Sequence, residues 1–349
     1  MRELKPWLDL IFRHPGRLVV GGFLILATLV SGIALLAVSG WFITETALVG
    51  LLLAAGVAAT INLYVPGGAI RFFAVSRTVF RYLERVYNHD TVLRLLTDIR
   101  VALFQRLSRA SRIRRGELSG AQWLSRLTSD VDALDTLYLR LIAPTALACL
   151  VTLLVVLLAA VLFDVRTALL VGLILLIALV TATASVFLCT WRLAAGQSDR
   201  QEELRTAVIE HIEGFPELTA AGRTGKHAAW LMRQAHQVTS EQAKADSRVG
   251  WHLAGAHLLV NLSAVLALWA GFALFQAGTV SGPVLVLLPI TLLGLAEVYA
   301  MLPDAFGKLG ATLASAARLN RDCREDEQPP SPIVNQGPPE CALLAENIT

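Results

Sequence analysis

The chain has 349 residues, of which 55% are hydrophobic and 16% charged, with a formal net charge of +3 and a mean hydropathy of +0.60. Soluble domains carry about 25% charged residues, so this composition excludes an ordinary water-soluble fold and indicates a membrane protein; no nucleic-acid partner is expected. The four cysteines, Cys149, Cys189, Cys323 and Cys341, are isolated and have neither a disulfide framework nor zinc spacing, so they are read as small apolar side chains or inert thiols.

A hydrocarbon core about 30 Å thick takes about 20 residues of helix to cross. Residues 18–38 form a first span, followed by SGWFIT and more apolar sequence without a small-residue cleavage pattern, as expected of a retained anchor rather than a signal peptide. Ala47 to Tyr64 is apolar enough to follow it. The preferred second span is nevertheless residues 60–87, which would carry GGAIRFFAVSRTVFRYLERV through the membrane and leave Ala47 to Tyr64 partly at the outer interface. Within and just after it, Arg77, Arg81, Arg85 and His89 recur every four residues, one slowly winding stripe on a helix. Cationic side chains so close to a bilayer are costly enough to mark a function.

A helical stretch to about Arg109 and a break near Arg115 and Gly116 lead into LSRLTSDVDALDTLYLRL and a third span, residues 144–163. The short FDVRT loop precedes the fourth, residues 168–189. From Cys189 to Leu253 the chain is polar and reads as two long amphipathic helices interrupted at GFPEL, where Gly214 and Pro216 should break the helix. Spans five and six are residues 253–275 and 283–302, joined by QAGTVSG, and the sixth carries only Glu297. At about 1.5 Å per residue, the polar helices project tens of Å from the membrane and end in elbows able to touch a partner.

Residues 1–320 thus form one all-α membrane domain. Residues 321–340 are a charged, proline-rich linker, and residues 341–349 begin to look like a strand, so a further domain is expected downstream. Arg2, Lys5, Arg13 and Arg17 near the start, and the arginines between Arg94 and Arg140, contrast with Arg166 alone in one short loop and no Lys or Arg in the other. By the positive-inside rule both termini and both long loops face the cytoplasm.

Six spans, two long helical extensions with elbows and a linker into a truncated strand resemble the six-helix transmembrane domain of a type I ABC exporter half-transporter. More narrowly, SGWF at Ser39 to Phe42, RTVFRYLERVYNHD at Arg77 to Asp90, LSRLTSDVDALDTLYLRLIAP at Leu124 to Pro144 and FPELTAAGR at Phe215 to Arg223 are similar to CydC-type subunits of the thiol-reductant exporters needed for cytochrome bd assembly. The similarity covers nearly all of residues 1–320. There are two departures. Gly120 is followed by Ala121 where the family places an acidic residue, and Gly116-Glu117 lies four residues out of register, so no role is carried over to Glu117. No nucleotide-binding domain is present either: AAGRTGKHA has Ala220 where the first glycine of a P-loop should stand and His227 in place of the magnesium-binding hydroxyl.

The resemblance implies a heterodimer with a CydD-type subunit among the lipids of a bacterial inner membrane. It implies export of small thiols such as glutathione or cysteine to the periplasm, ATP and magnesium used by a domain absent from these residues, and haem b as substrate or regulator. No catalytic residue is expected in this chain. His89 is the candidate iron ligand, since a neutral imidazole can ligate haem, and Arg85, one turn away, is the candidate propionate partner; Arg81 and Tyr82 are weaker cavity liners. The competing reading is a polar helix face, with Glu84 satisfying Arg77 or Arg81 and His89 capping a span. No other metal site is expected. After the first elbow, Arg126, Asp130, Asp132 and Asp135 either fix the helix that transmits ATP-driven motion or form a solvated face. Gly214, Phe215, Pro216 and Glu217 form the second elbow. His252 and His257 are five apart and do not share a face as a metal pair would, and His211, His227 and His236 are read as solvated. Two rivals remain: a general lipid, drug or peptide exporter subunit, and a non-transporting membrane haem-binding scaffold.

Overall fold

The computed structural model describes residues 4, 6–7, 15–109 and 126–324. Among them every regular element is a helix: α1 (Pro15–Ala54), α2 (Tyr64–Arg109), α3 (Val131–Thr136), α4 (Ala143–Leu162), α5 (Val165–Val180), α6 (Val186–Glu213), α7 (Phe215–Ala220), α8 (Thr224–Gln276), α9 (Gly282–Ala300) and α10 (Leu302–Arg324), with irregular connections such as residues 57–63. Single π-helical turns at Leu137–Ile142 and Thr181–Ser185 join neighbouring helices without ending the helical path, and one at Arg126–Asp130 leads into α3. The break expected near Arg115 and Gly116, the residue Glu117, and the expected linker and strand beyond residue 324 lie outside the described residues.

Uncharged aliphatic runs make these helices long. Threonines within them satisfy their hydroxyls locally, as Thr28 donates to the Leu24 carbonyl at 2.9 Å and Thr44 to that of Gly40 at 2.9 Å, so a polar side chain costs little in an apolar stretch. Pro144 and Pro283 stand in the first turns of α4 and α9, where a missing amide proton is harmless. Asp164 caps α5 by accepting from the Thr167 amide at 3.1 Å. Five helical stretches, Pro15–Ala54, Arg140–Leu162, Val165–Glu213, Thr224–Gln276 and Gly282–Arg321, are long and apolar enough to cross a membrane. The chain is therefore a multi-pass membrane protein. The 53 residues of α8 extend about 80 Å, far more than a bilayer needs.

Two cores organise the bundle. One joins α4, α5, α8 and α9 through Val151, Val171, Leu175, Val260, Leu288 and Leu292. The other joins the start of α1 and the second half of α2 to α3 and α10 through Leu18, Ile99, Leu103, Leu134 and Leu319. Outward-facing Leu153, Val161, Leu169 and Trp269 are all more than half exposed, as a lipid-facing surface requires.

α2 is not among the five apolar stretches because it carries the arginines. It runs antiparallel along α1: Gly21 lies against Asn88, and Gly32 against the Arg77 side chain. α9 also runs antiparallel to α1, with Gly40 against Ile290 and Gly294 against Ile33 and Leu36. Arg77 and Glu297 therefore stand beside the middle of the apolar part of α1.

Candidate functional site

The stripe on α2 divides into two parts. Arg77 Nη2 donates to Glu297 Oε2 at 2.7 Å and Arg81 Nη2 to Oε1 at 2.5 Å, so two arginines of α2 share the single carboxylate of α9. Gly32 leaves room for the Arg77 side chain to cross α1. Glu84, which the competing polar-face reading pairs with Arg77 or Arg81, instead accepts from Asn88 Nδ2 at 2.8 Å, since Asn88 lies one turn along the same helix. Glu297 was legible as a lone charge in an apolar run, which by itself demands a cation nearby; its pairing across 216 and 220 residues of sequence was not.

Arg85 and His89, further along the stripe, are exposed and make no polar contact among the described residues. Tyr82, Val86 and Leu93 beside them are 68%, 52% and 51% exposed. An unpartnered imidazole, a guanidinium one turn away and a flanking apolar strip fit one face of a haem, the iron at His89 and a propionate at Arg85. The charged cluster is equally open, with the Arg77, Arg81 and Glu297 side chains 29%, 49% and 44% exposed.

Below this face Arg17 of α1 pairs with Asp90 of α2, which also accepts from Arg94 Nε at 3.0 Å. The hydrogen bond and charge of Arg94, then the Arg17 charge, hold the Asp90 carboxyl below its ordinary value against the opposing effect of desolvation.

The residues after the first elbow form a second cluster. Asp130 is not on a solvated face. It is 3% exposed, and its oxygens accept from Arg318 Nη2 at 2.6 Å and Nε at 3.3 Å. The same guanidinium reaches Asp199 Oδ1 at 2.6 Å and the Ser198 and Ser315 hydroxyls. Burial alone would lower the Arg318 pKa, but Asp130 and then Asp199 more than offset it and raise it, so Arg318 stays charged. One arginine of α10 thereby ties the turn before α3 to α6 beside a polar cavity of about 470 Å³. Asp132 accepts from Arg100 of α2 at 2.6 Å. The side chains of Arg126 and Asp135 lie outside the described residues. Arg318 carried no sequence signal, because its acidic partners stand 188 and 119 residues away.

At the second elbow Gly214 ends α6 and Pro216 lies in the first turn of α7. A second break follows at Gly222, whose φ of +63° suits glycine. Phe215 is 51% exposed, and Pro216 and Glu217 are exposed beside it. His211 and His227 are not simply solvated: their Nδ1 atoms lie 2.8 Å apart across the elbow, with Phe215 against one ring and Trp230 against the other. His252 bonds the Arg248 carbonyl and Ser185, and no cluster of three metal-ligating side chains occurs among the described residues.

Residues 22–293 match the ABC transporter transmembrane region family. The chain belongs to this family. It therefore has the type I exporter transmembrane fold, six-helix in plan, and its resemblance within the family is to CydC-type subunits. It is 30% identical over 325 residues to the glutathione/L-cysteine transport system ATP-binding/permease protein CydC of Escherichia coli K12, covering 92% of this chain and 55% of that protein. It is 38% identical over 144 residues to the CydC of Haemophilus influenzae, covering 41% of this chain and 24% of that protein. The CydD of the same type of system in Bacillus subtilis is 24% identical over 265 residues, covering 76% of this chain and 46% of that protein. The chain thus spans about half the length, or less, of these relatives.

Proposed function

We propose that this chain is the transmembrane half of one subunit of an ATP-driven exporter in a bacterial inner membrane. It pairs with a CydD-type subunit and moves small thiols, glutathione and cysteine, from cytoplasm to periplasm in support of cytochrome bd assembly. The observation that carries the reading is the open charged face of α2 and α9 beside the apolar middle of α1. Charges at that depth avoid lipid and face water or a partner, so this face belongs to a central path and α2, added to the five apolar stretches, is the second of six spans. The glutathione/L-cysteine transport named for the relatives supplies the cargo class.

In this reading both termini and the two elbows are cytoplasmic, and residues 163–164 and 277–281 are periplasmic turns. ATP and magnesium act on a nucleotide-binding domain outside these residues. Its motion reaches the membrane through α7, with Phe215, Pro216 and Glu217 at the tip, and through the turn that holds Arg126 and Asp130. Each state is selected by the difference in binding it offers. His89 and Arg85 hold haem b as a second ligand, which supplies a redox-active iron at the same face.

The test is the intact complex in inside-out vesicles, followed by labelled glutathione uptake and by haem titration at the Soret band. ATP-dependent uptake is expected. A saturable shifted band is expected that His89→Ala abolishes and Arg85→Ala weakens about tenfold, the worth of one charge-assisted bond. Absence of uptake would overturn the transport assignment in favour of a scaffold, and an identical band in all three proteins would overturn the haem site.

A further inference from the structure

Glu297 is the only charged residue of α9, and both of its oxygens are occupied by arginines of α2. Across Arg71–His89 and Gly282–Ala300 four arginines stand against two carboxylates, leaving a net charge of +2 with His89 neutral. Glu84 is turned to Asn88, so Glu297 is the one carboxylate facing Arg77 and Arg81, and Arg71, Arg85 and His89 have no partner among the described residues. Uncompensated positive charge near apolar walls attracts anions strongly, because the low dielectric screens it poorly. Arg77 and Arg81 each give one Nη2 donor to a different oxygen of the same carboxylate, a pair of charge-assisted bonds that any carboxylate can accept. The cluster is half open, so a ligand can reach it from the same side as Arg85 and His89.

We propose that Glu297 is a resident stand-in for cargo: a carboxylate of the transported molecule displaces it from Arg77 and Arg81, while a second carboxylate takes Arg85 when haem does not occupy it. The site then favours small molecules with two carboxylates about 6 to 12 Å apart, the rise between Arg81 or Arg77 and Arg85 at 1.5 Å per residue, and so prefers glutathione to cysteine, which has one carboxylate. Release follows when Glu297 returns, so the cation pair is covered in both the loaded and the empty state. This inference rests on the reading of the α2 and α9 face as the cargo path, and it adds what that path recognises.

The test measures binding to the intact complex in lipid nanodiscs with three probes: glutathione, suberate, which has two carboxylates and no thiol, and 2-mercaptoethanol, which has a thiol and no carboxylate. Glu297→Gln removes the competitor and should tighten glutathione and suberate about tenfold, the scale of one charge-assisted hydrogen bond. Glu297→Asp should stay close to wild type, Arg77→Gln should loosen both dicarboxylates by about the same factor, and 2-mercaptoethanol should respond to none of them. A merely structural Glu297 would loosen binding when neutralised, the opposite sign. Unchanged or weaker suberate binding in Glu297→Gln, or no suberate binding in either protein, would overturn the proposal. Tightened suberate without ATP-driven glutathione uptake by the wild type would keep the clamp and sink the thiol-export reading; persistent uptake with unaltered suberate affinity would do the reverse.

Discussion

Arg318 and Asp130 show what a single charge does in this fold. Their side chains are 14% and 4% exposed, and the pair is held in two-pronged geometry. Removing one member of such a buried pair strands the other, which typically costs 3–5 kcal/mol. Because Asp199 still faces Arg318, Asp130→Ala is expected to cost about 3 kcal/mol, the low end of that range, read as a lowered unfolding temperature of the purified complex. Asp132→Ala, which breaks a pair with both side chains about half exposed, should cost under about 1 kcal/mol. Asp90 offers a pH test. Its folded pKa lies below the ordinary value of 3.8, so its contribution is present above that value and is lost as pH falls through the folded pKa. The gap in unfolding temperature between wild type and Asp90→Asn should therefore be constant above about pH 5 and close below about pH 4. A gap that persisted in acid would show that the Arg17 and Arg94 contacts do not stabilise the carboxylate.

α6 and α10 meet backbone to backbone at Gly310. A Cβ at Gly310 of α10 would overlap the backbone of Trp191 in α6, and one at Gly307 would overlap the Val249 side chain of α8. Backbone cannot yield as a side-chain tip can, so Gly310→Ala is expected to destabilise by about 3 kcal/mol, the upper end for overpacking, and to cost more than Gly307→Ala when unfolding is compared. Equal effects would mean that α10 slides freely on α6. The elbow follows another logic. α7 is only 6 residues long with no buried residue of its own, and it is held at its base by the His211 and His227 contact and by Gly214 and Gly222 at its ends. Its apolar tip, Phe215 and Pro216, is exposed.

For the whole molecule, the two cores place different demands on the chain. The core of α4, α5, α8 and α9 is aliphatic apart from Tyr299, whose buried hydroxyl bonds Thr152, and faces lipid on its outer side. The core of α1, α2, α3 and α10 ends against the ion pairs of Arg17 and Asp90 and of Arg100 and Asp132. α9 links the halves by packing on both α1 and α8, and the only charge it brings to α2 is Glu297. Any motion that parts α2 from α9 must therefore break the Arg77 and Arg81 contacts to Glu297.

Composition and hydropathy alone determined that this is a helical membrane protein. Glycine and proline chemistry determined the break at Gly214 to Pro216, because both effects act within a few residues. The four-residue spacing put Arg77, Arg81, Arg85 and His89 on one stripe for the same reason: a helix repeats locally. Tertiary structure alone decided which of them are occupied. Glu297 reaches Arg77 and Arg81, Arg318 reaches Asp130, and His211 meets His227 through the approach of separate helices, and the Coulomb and hydrogen-bond terms that reward those meetings depend on distance in space rather than separation along the chain.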